Sequence, residues 1–101
     1  MQEKIGNVTL DYTYYPGEDL YSDGPVEEEL LEIAKHYREE KLNAVIAQRN
    51  SWPVLYHFSH IRKNILEWLP ITKEDKVLEI GSGCGAVTGA LAEKAGSLTC
   101  I

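Results

Sequence analysis

Apolar and polar positions change their period several times along the chain. Around a Gly6-Asn7 turn signal, Leu10, Tyr12 and Tyr14 alternate with Asp11 and Thr13, which predicts extended chain over residues 5–15. Pro16-Gly17 ends that run, and residues 18–24 read as a polar loop. A helix is predicted from Pro25, where a proline's missing N–H would be unpaired in any case. Glu27, Glu28 and Glu29 then lie near the positive end of its dipole, and Leu30, Ile33, Ala34 and Tyr37 form one face. A second helix is predicted over residues 38–49, with Leu42, Val45, Ile46 and Arg49 at helical spacing. Asn50-Ser51 and Trp52-Pro53 interrupt it. Leu55, Phe58, Ile61, Ile65 and Trp68, with Leu66 and Leu69, predict one continuous third helix over 54–68, stopped by Pro70.

After the polar turn at 72–75 the period shortens again. Val77, Leu78 and Ile80 mark a buried strand that runs into Gly81-Ser82-Gly83-Cys84-Gly85. A helix is expected over 86–95, with Val87, Ala90, Leu91 and Ala95 inward and Gly96 as its C-terminal stop. Residues 97–101 read as a second buried strand. Strand, glycine loop, helix, strand is the opening of a doubly wound α/β sheet. The expected architecture is α/β: an N-terminal helical segment, then the first strand-helix-strand of a Rossmann-like sheet, truncated. Residues 1–70 are expected to form a lid or cover region, and 71–101 the incomplete start of a cofactor-binding domain.

Composition narrows the class. At 101 residues with 44% hydrophobic and 26% charged positions, the sequence is that of one small globular unit. No run of about 18 apolar residues exists to span a membrane, and the N-terminus lacks the pattern of a signal peptide. Cys84 and Cys100 are too few for a disulfide scaffold and have no metal-site spacing, so a reducing cytoplasm is the simplest location. The net charge of -6 argues against a surface that tracks nucleic-acid phosphates. The charge is uneven: residues 1–40 hold three basic and eleven acidic side chains, whereas 41–70 hold four basic and one acidic. Complementary faces of packed helices account for such a split.

The chemistry concentrates in VLEIGSGCG, residues 77–85. Glycines after a strand allow a sharp turn and let a ligand approach the main chain. Gly81-x-Gly83-x-x-Ala86 satisfies the dinucleotide fingerprint, in which a pyrophosphate would sit on the loop. The same residues read as Glu79-x-Gly81-x-Gly83-x-Gly85, with a carboxylate two positions ahead of the first glycine. That carboxylate would repel a pyrophosphate and attract a cationic ligand. S-adenosylmethionine carries a sulfonium and an ammonium and has no phosphate, so charge favours it over a nicotinamide or flavin dinucleotide.

VLEIGSGCGAVTGALAEKAGSLTCI resembles motif I of the class I S-adenosylmethionine-dependent methyltransferases. The resemblance implies that Glu79, Gly81, Ser82, Gly83 and Gly85 hold the methionyl part of the cofactor. It also implies a ribose-binding carboxylate and catalytic residues beyond Ile101, and hence an N-terminal fragment that is inactive alone. The wider stretch 52–91 is similar to bacterial methyltransferases associated with glycosyltransferases, which implies a small-molecule or glycan-type acceptor. GAVTGALAEKAG is similar to ribosomal RNA adenine dimethylases as well, although HFSHIRKNIL stands where that family has Gln-x-Phe-Leu. The alternatives outside this class are an NAD(P)- or FAD-dependent oxidoreductase and a non-catalytic helical interaction module.

Other residues have simpler readings. Cys84 has no positioned base, so it is no nucleophile. His57 and His60 lack a third ligand, so no metal site is expected. Tyr12, Tyr14, Tyr15 and Tyr21 suit packing first and a lid over the cofactor second. Tyr56, Ser59 and Arg62 share the lid reading. The exposed edges of a two-stranded parallel sheet would also favour a homo-oligomer.

Overall fold

The computed structural model describes residues 1–18 and 24–101. Most of the loop expected over 18–24, including Tyr21, therefore lies outside the described residues. Strands β1 (Gln2–Ile5) and β2 (Val8–Asp11) form an antiparallel hairpin around the Gly6-Asn7 turn, pairing Ile5 with Val8 and Gln2 with Asp11. The extended region therefore begins earlier than residue 5. Its first strand is polar and solvent-facing, so no apolar alternation marks it.

Helix α1 (Pro25–His36) starts where the proline signals it, with Glu27 and Glu28 in the first turn and Lys35 and His36 in the last. Leu30 and Ile33 are buried, while Ala34 and Tyr37 stay at the surface. The second predicted helix divides into a 3-10 turn over Glu39–Lys41 and α2 (Leu42–Arg49), which buries Val45. Asn50 closes α2 in the left-handed conformation, φ 47°. Arg49 reaches back to Glu29 at 3.5 Å and Glu32 at 3.3 Å, tying α2 to α1.

The continuous helix expected over 54–68 is not formed. The chain makes α3 (Trp52–Phe58), an extended residue at Ser59, a 3-10 turn over His60–Lys63, and α4 (Asn64–Glu67). Trp52-Pro53 opens α3 instead of breaking the chain; the break falls on Asn50 and Ser51. Local hydrogen bonds explain the interruption at Ser59. Its hydroxyl accepts from the Ile61 N–H at 3.2 Å, and its carbonyl accepts from the Arg62 guanidinium at 2.6 Å. The interruption changes which side chains face inward. Val54 and Leu66 are buried, whereas Ile61 and Trp68 of the predicted stripe are 72% and 75% exposed.

Strands β3 (Lys76–Glu79) and β4 (Ser97–Cys100) pair in parallel, Val77 beside Leu98 and Glu79 beside Cys100, with α5 (Thr88–Lys94) between them in sequence. The helix expected from residue 86 begins two residues later, because turns continue through Val87. It also ends before Gly96. Ala95 is already extended, φ −76° and ψ 156°, so Gly96 is no left-handed cap. Its N–H and that of Ser97 donate to the Asp75 carbonyl at 3.0 and 3.3 Å, and this pins the start of β4 to the turn before β3. The missing side chain is needed for that approach: a Cβ on Gly96 would collide with the Lys73 carbonyl.

Two apolar clusters form. Leu30, Ile33, Val45 and Val54 join α1, α2 and α3. Leu66, Ala90 and Leu91 join α4 to α5, with Val77 and Leu98 supplying one face of the parallel strands. The Lys94 ammonium donates to the carbonyls of Leu66 at 2.8 Å and Leu69 at 2.6 Å, which fastens the end of α4 to α5. On the other face of the strands Leu78 and Ile80 are exposed.

Candidate cofactor site

The parallel strands carry Glu79 to the edge of a glycine turn. Gly81, Gly83 and Gly85 all have positive φ, 76°, 54° and 80°. At Gly83 this conformation is disfavoured for any residue with a side chain. Space is not the constraint, since a Cβ on Gly81 or Gly83 would meet nothing within 4 Å. The turn thus presents bare backbone to an open side. The sheet ladder runs on into it: the N–H groups of Gly81 and Ser82 donate to the Ile101 carbonyl at 2.7 and 3.1 Å, and Gly85 N–H donates to the Ser82 carbonyl at 2.9 Å. These bonds hold the loop against the end of β4.

Glu79 is half-buried on the α5 face of the strands. The Thr88 hydroxyl, at the first residue of α5, donates to its Oε2 at 2.7 Å. The Cys100 thiol, opposite Glu79 in the parallel register, donates to the same oxygen at 3.4 Å. Burial pushes the Cys100 thiol above its ordinary range, and the hydrogen bond and negative charge of Glu79 push it the same way. The thiol is therefore held in its donating, protonated form. Thr88 and Cys100 are absent from the motif-based assignment. The register of two strands and the delayed start of α5 bring them to Glu79, and no spacing rule encodes either.

The structure gathers Glu79, Gly81, Ser82, Gly83 and Gly85 into one strand end and turn. Tyr56, Ser59 and Arg62 line a groove of about 460 Å³ with Trp52, Leu55 and Ile65, and no residue of the glycine turn lines it. Trp52 and Tyr56 stack there with ring centroids 6.1 Å apart. Tyr12 and Tyr15 meet edge to face at 6.0 Å beside the hairpin, and Tyr14 is exposed. His57 bonds the Pro53 carbonyl through Nδ1 at 2.8 Å, and His60 lies 3.9 Å from Glu39. Among the described residues no group of three or more His, Cys, Asp or Glu side chains is placed to hold a metal ion. Cys84 and Cys100 are thiols outside any disulfide.

The family model for protein-L-isoaspartate(D-aspartate) O-methyltransferase matches residues 27–100, from the first turn of α1 to the last residue of β4. The chain belongs to the protein-L-isoaspartate(D-aspartate) O-methyltransferase family. No curated protein and no solved structure matches it. Membership in this family makes the class of the chain that of a methyltransferase. The match spans the helical segment as well as the turn, so the helices belong to the family's pattern too. The resemblance to glycosyltransferase-associated methyltransferases gains no support from the match. Among the described residues no helix is long and apolar enough to cross a membrane.

Proposed function

We propose that this methyltransferase-family chain supplies the S-adenosylmethionine-binding turn of the enzyme. Residues 71–101 would form the opening of a Rossmann-like sheet, and residues 1–70 would cover it, with α4 packed on α5. The observation that carries the reading is Glu79 at the end of a parallel strand, two residues ahead of three positive-φ glycines. When bound, S-adenosylmethionine supplies a methyl group activated by its sulfonium. Glu79 would accept hydrogen bonds from the ammonium end of the ligand, a charge-assisted contact. Gly81, Ser82, Gly83 and Gly85 would line the methionyl portion with backbone. Positioning is the main help a protein gives to such a displacement.

The residues fit this ligand. The turn leaves open space where side chains would stand, and the carboxylate suits a cation. The same carboxylate sits poorly beside a pyrophosphate. The family's name favours an isoaspartyl or D-aspartyl carboxylate of a protein as acceptor over a small-molecule or glycan-type one. The exposed face at Leu78 and Ile80 is where further sheet-covering elements, or a second copy, would pack.

The test is an NMR titration of the labelled chain with S-adenosylhomocysteine and, separately, with NAD. With so few strands the contacts are few, so a dissociation constant in the millimolar range is expected. Shifts should centre on residues 79–88. Tight NAD binding with no response to S-adenosylhomocysteine would refute the reading. Methyl transfer by the chain alone would show that these residues do more than bind.

A further inference from the structure

Glu79 does not stand free at the glycine turn. Its Oε2 accepts both the Thr88 hydroxyl at 2.7 Å and the Cys100 thiol at 3.4 Å. Among the described residues no side chain donates to Oε1. Both donors are neutral, so they orient the carboxylate without cancelling its charge. A lysine in either place would fix the group equally well and neutralise it. The packing around Thr88 is also specific. A Cβ on Gly85 would stand 3.5 Å from the Thr88 hydroxyl oxygen, in ordinary contact, so the turn closes directly over this side chain.

We propose that Thr88 is a positioning residue of the methionyl subsite: by holding one oxygen of Glu79 it presents the other to the ammonium group of the ligand. The proposal rests on the S-adenosylmethionine reading and deepens it. A glutamate has several rotatable bonds, and freezing them during binding opposes association. Thr88 freezes them beforehand. The hydroxyl acts only through Glu79, so its effect should appear only with ligands that carry the ammonium.

The experiment titrates the labelled chain with S-adenosylhomocysteine and with 5′-methylthioadenosine, which lacks the amino-acid portion. The variants are Thr88→Val, Thr88→Ser, Glu79→Gln and the double variant Glu79→Gln/Thr88→Val. Thr88→Val should weaken S-adenosylhomocysteine by about tenfold. Thr88→Ser, which keeps the hydroxyl, should restore affinity, and 5′-methylthioadenosine should bind the parent and Thr88→Val alike. On the Glu79→Gln background, Thr88→Val should add nothing. Equal losses for both ligands, or a full further loss on the Glu79→Gln background, would overturn the positioning role. Unchanged S-adenosylhomocysteine affinity in Thr88→Val would do the same while leaving the cofactor reading intact. No binding of S-adenosylhomocysteine by the unsubstituted chain would instead refute the cofactor reading, and the role of Thr88 with it.

Discussion

Gly96→Ala should loosen the strand-bearing half of the molecule more than any other single methyl group added to a glycine there. The added Cβ would overlap the Lys73 carbonyl, lie 2.9 Å from its carbon, and lie 3.2 Å from the Asp75 oxygen. These neighbours are backbone, so no flexible side chain can swing aside. Forcing extra volume into such a contact costs about 1–3 kcal/mol. The Asp75 carbonyl would also lose its bonds from Gly96 and Ser97, each contributing about 1 kcal/mol. A destabilisation of about 3–5 kcal/mol follows, a large share of a small domain's stability. Gly89 provides the opposite case. It is exposed within α5, and a Cβ there meets nothing within 4 Å. Gly89→Ala should therefore stabilise the helix, by about 0.5–1 kcal/mol. Urea unfolding followed through the amide resonances of β3 and β4 measures both. If Gly96→Ala leaves the midpoint where it was, or the two variants shift it in the same direction, the account of Gly96 is wrong.

Gly83→Val should abolish S-adenosylhomocysteine binding while α1, α2 and α3 stay folded, because a β-branched residue at φ 54° must displace the turn, by about 1–2 kcal/mol of strain or more; NMR titration alongside the helical amide pattern checks it. Lys94→Met should destabilise the α4–α5 contact by about 2 kcal/mol, since the Leu66 and Leu69 carbonyls lose a charged donor. Lys94→Arg should fail to restore it, because a planar fork does not converge on carbonyls as an ammonium does; urea unfolding of both variants is the measurement. Asp11 is held down to about 2 by the Thr13 hydroxyl first, then by the Gln2 amide and the Thr13 N–H. Its folded value is depressed, so its support of the hairpin is present above the ordinary carboxylate range and is lost as pH falls through about 2. Hairpin amide shifts followed in acid should show that transition, and Asp11→Asn should remove it.

The glycine turn was legible because its signals are local. Glu79 and the three glycines sit within seven residues, and a positive φ is the ordinary use of glycine. α1 was legible for the same reason, through Pro25 and the acidic first turn. The third helix misled because Leu55, Phe58, Ile61 and Ile65 fit a helical period whether or not the helix is continuous. The interruption depends on a serine hydroxyl and an arginine that hydrogen-bond within one turn, and periodicity is blind to both. Thr88 and Cys100 carry no such local signal: Cys100 meets Glu79 through the register of β3 and β4, and Thr88 through the point at which α5 starts. Gly96 reads in the sequence as a helix stop, but its reason is close backbone approach instead of a helix cap.

The interruption at Ser59 also governs how the molecule comes apart. The cluster of Leu30, Ile33, Val45 and Val54 lies wholly before it, and that of Leu66, Ala90 and Leu91 wholly after it. Among the described residues the two share no buried side chain, and the backbone joins them through the 3-10 turn of His60–Lys63. Cooperativity requires that loosening one part weakens the packing of the next. Hydrogen exchange should therefore show the helical half opening at a lower free energy than the glycine turn. A single unfolding free energy would not describe a chain that opens in two such steps.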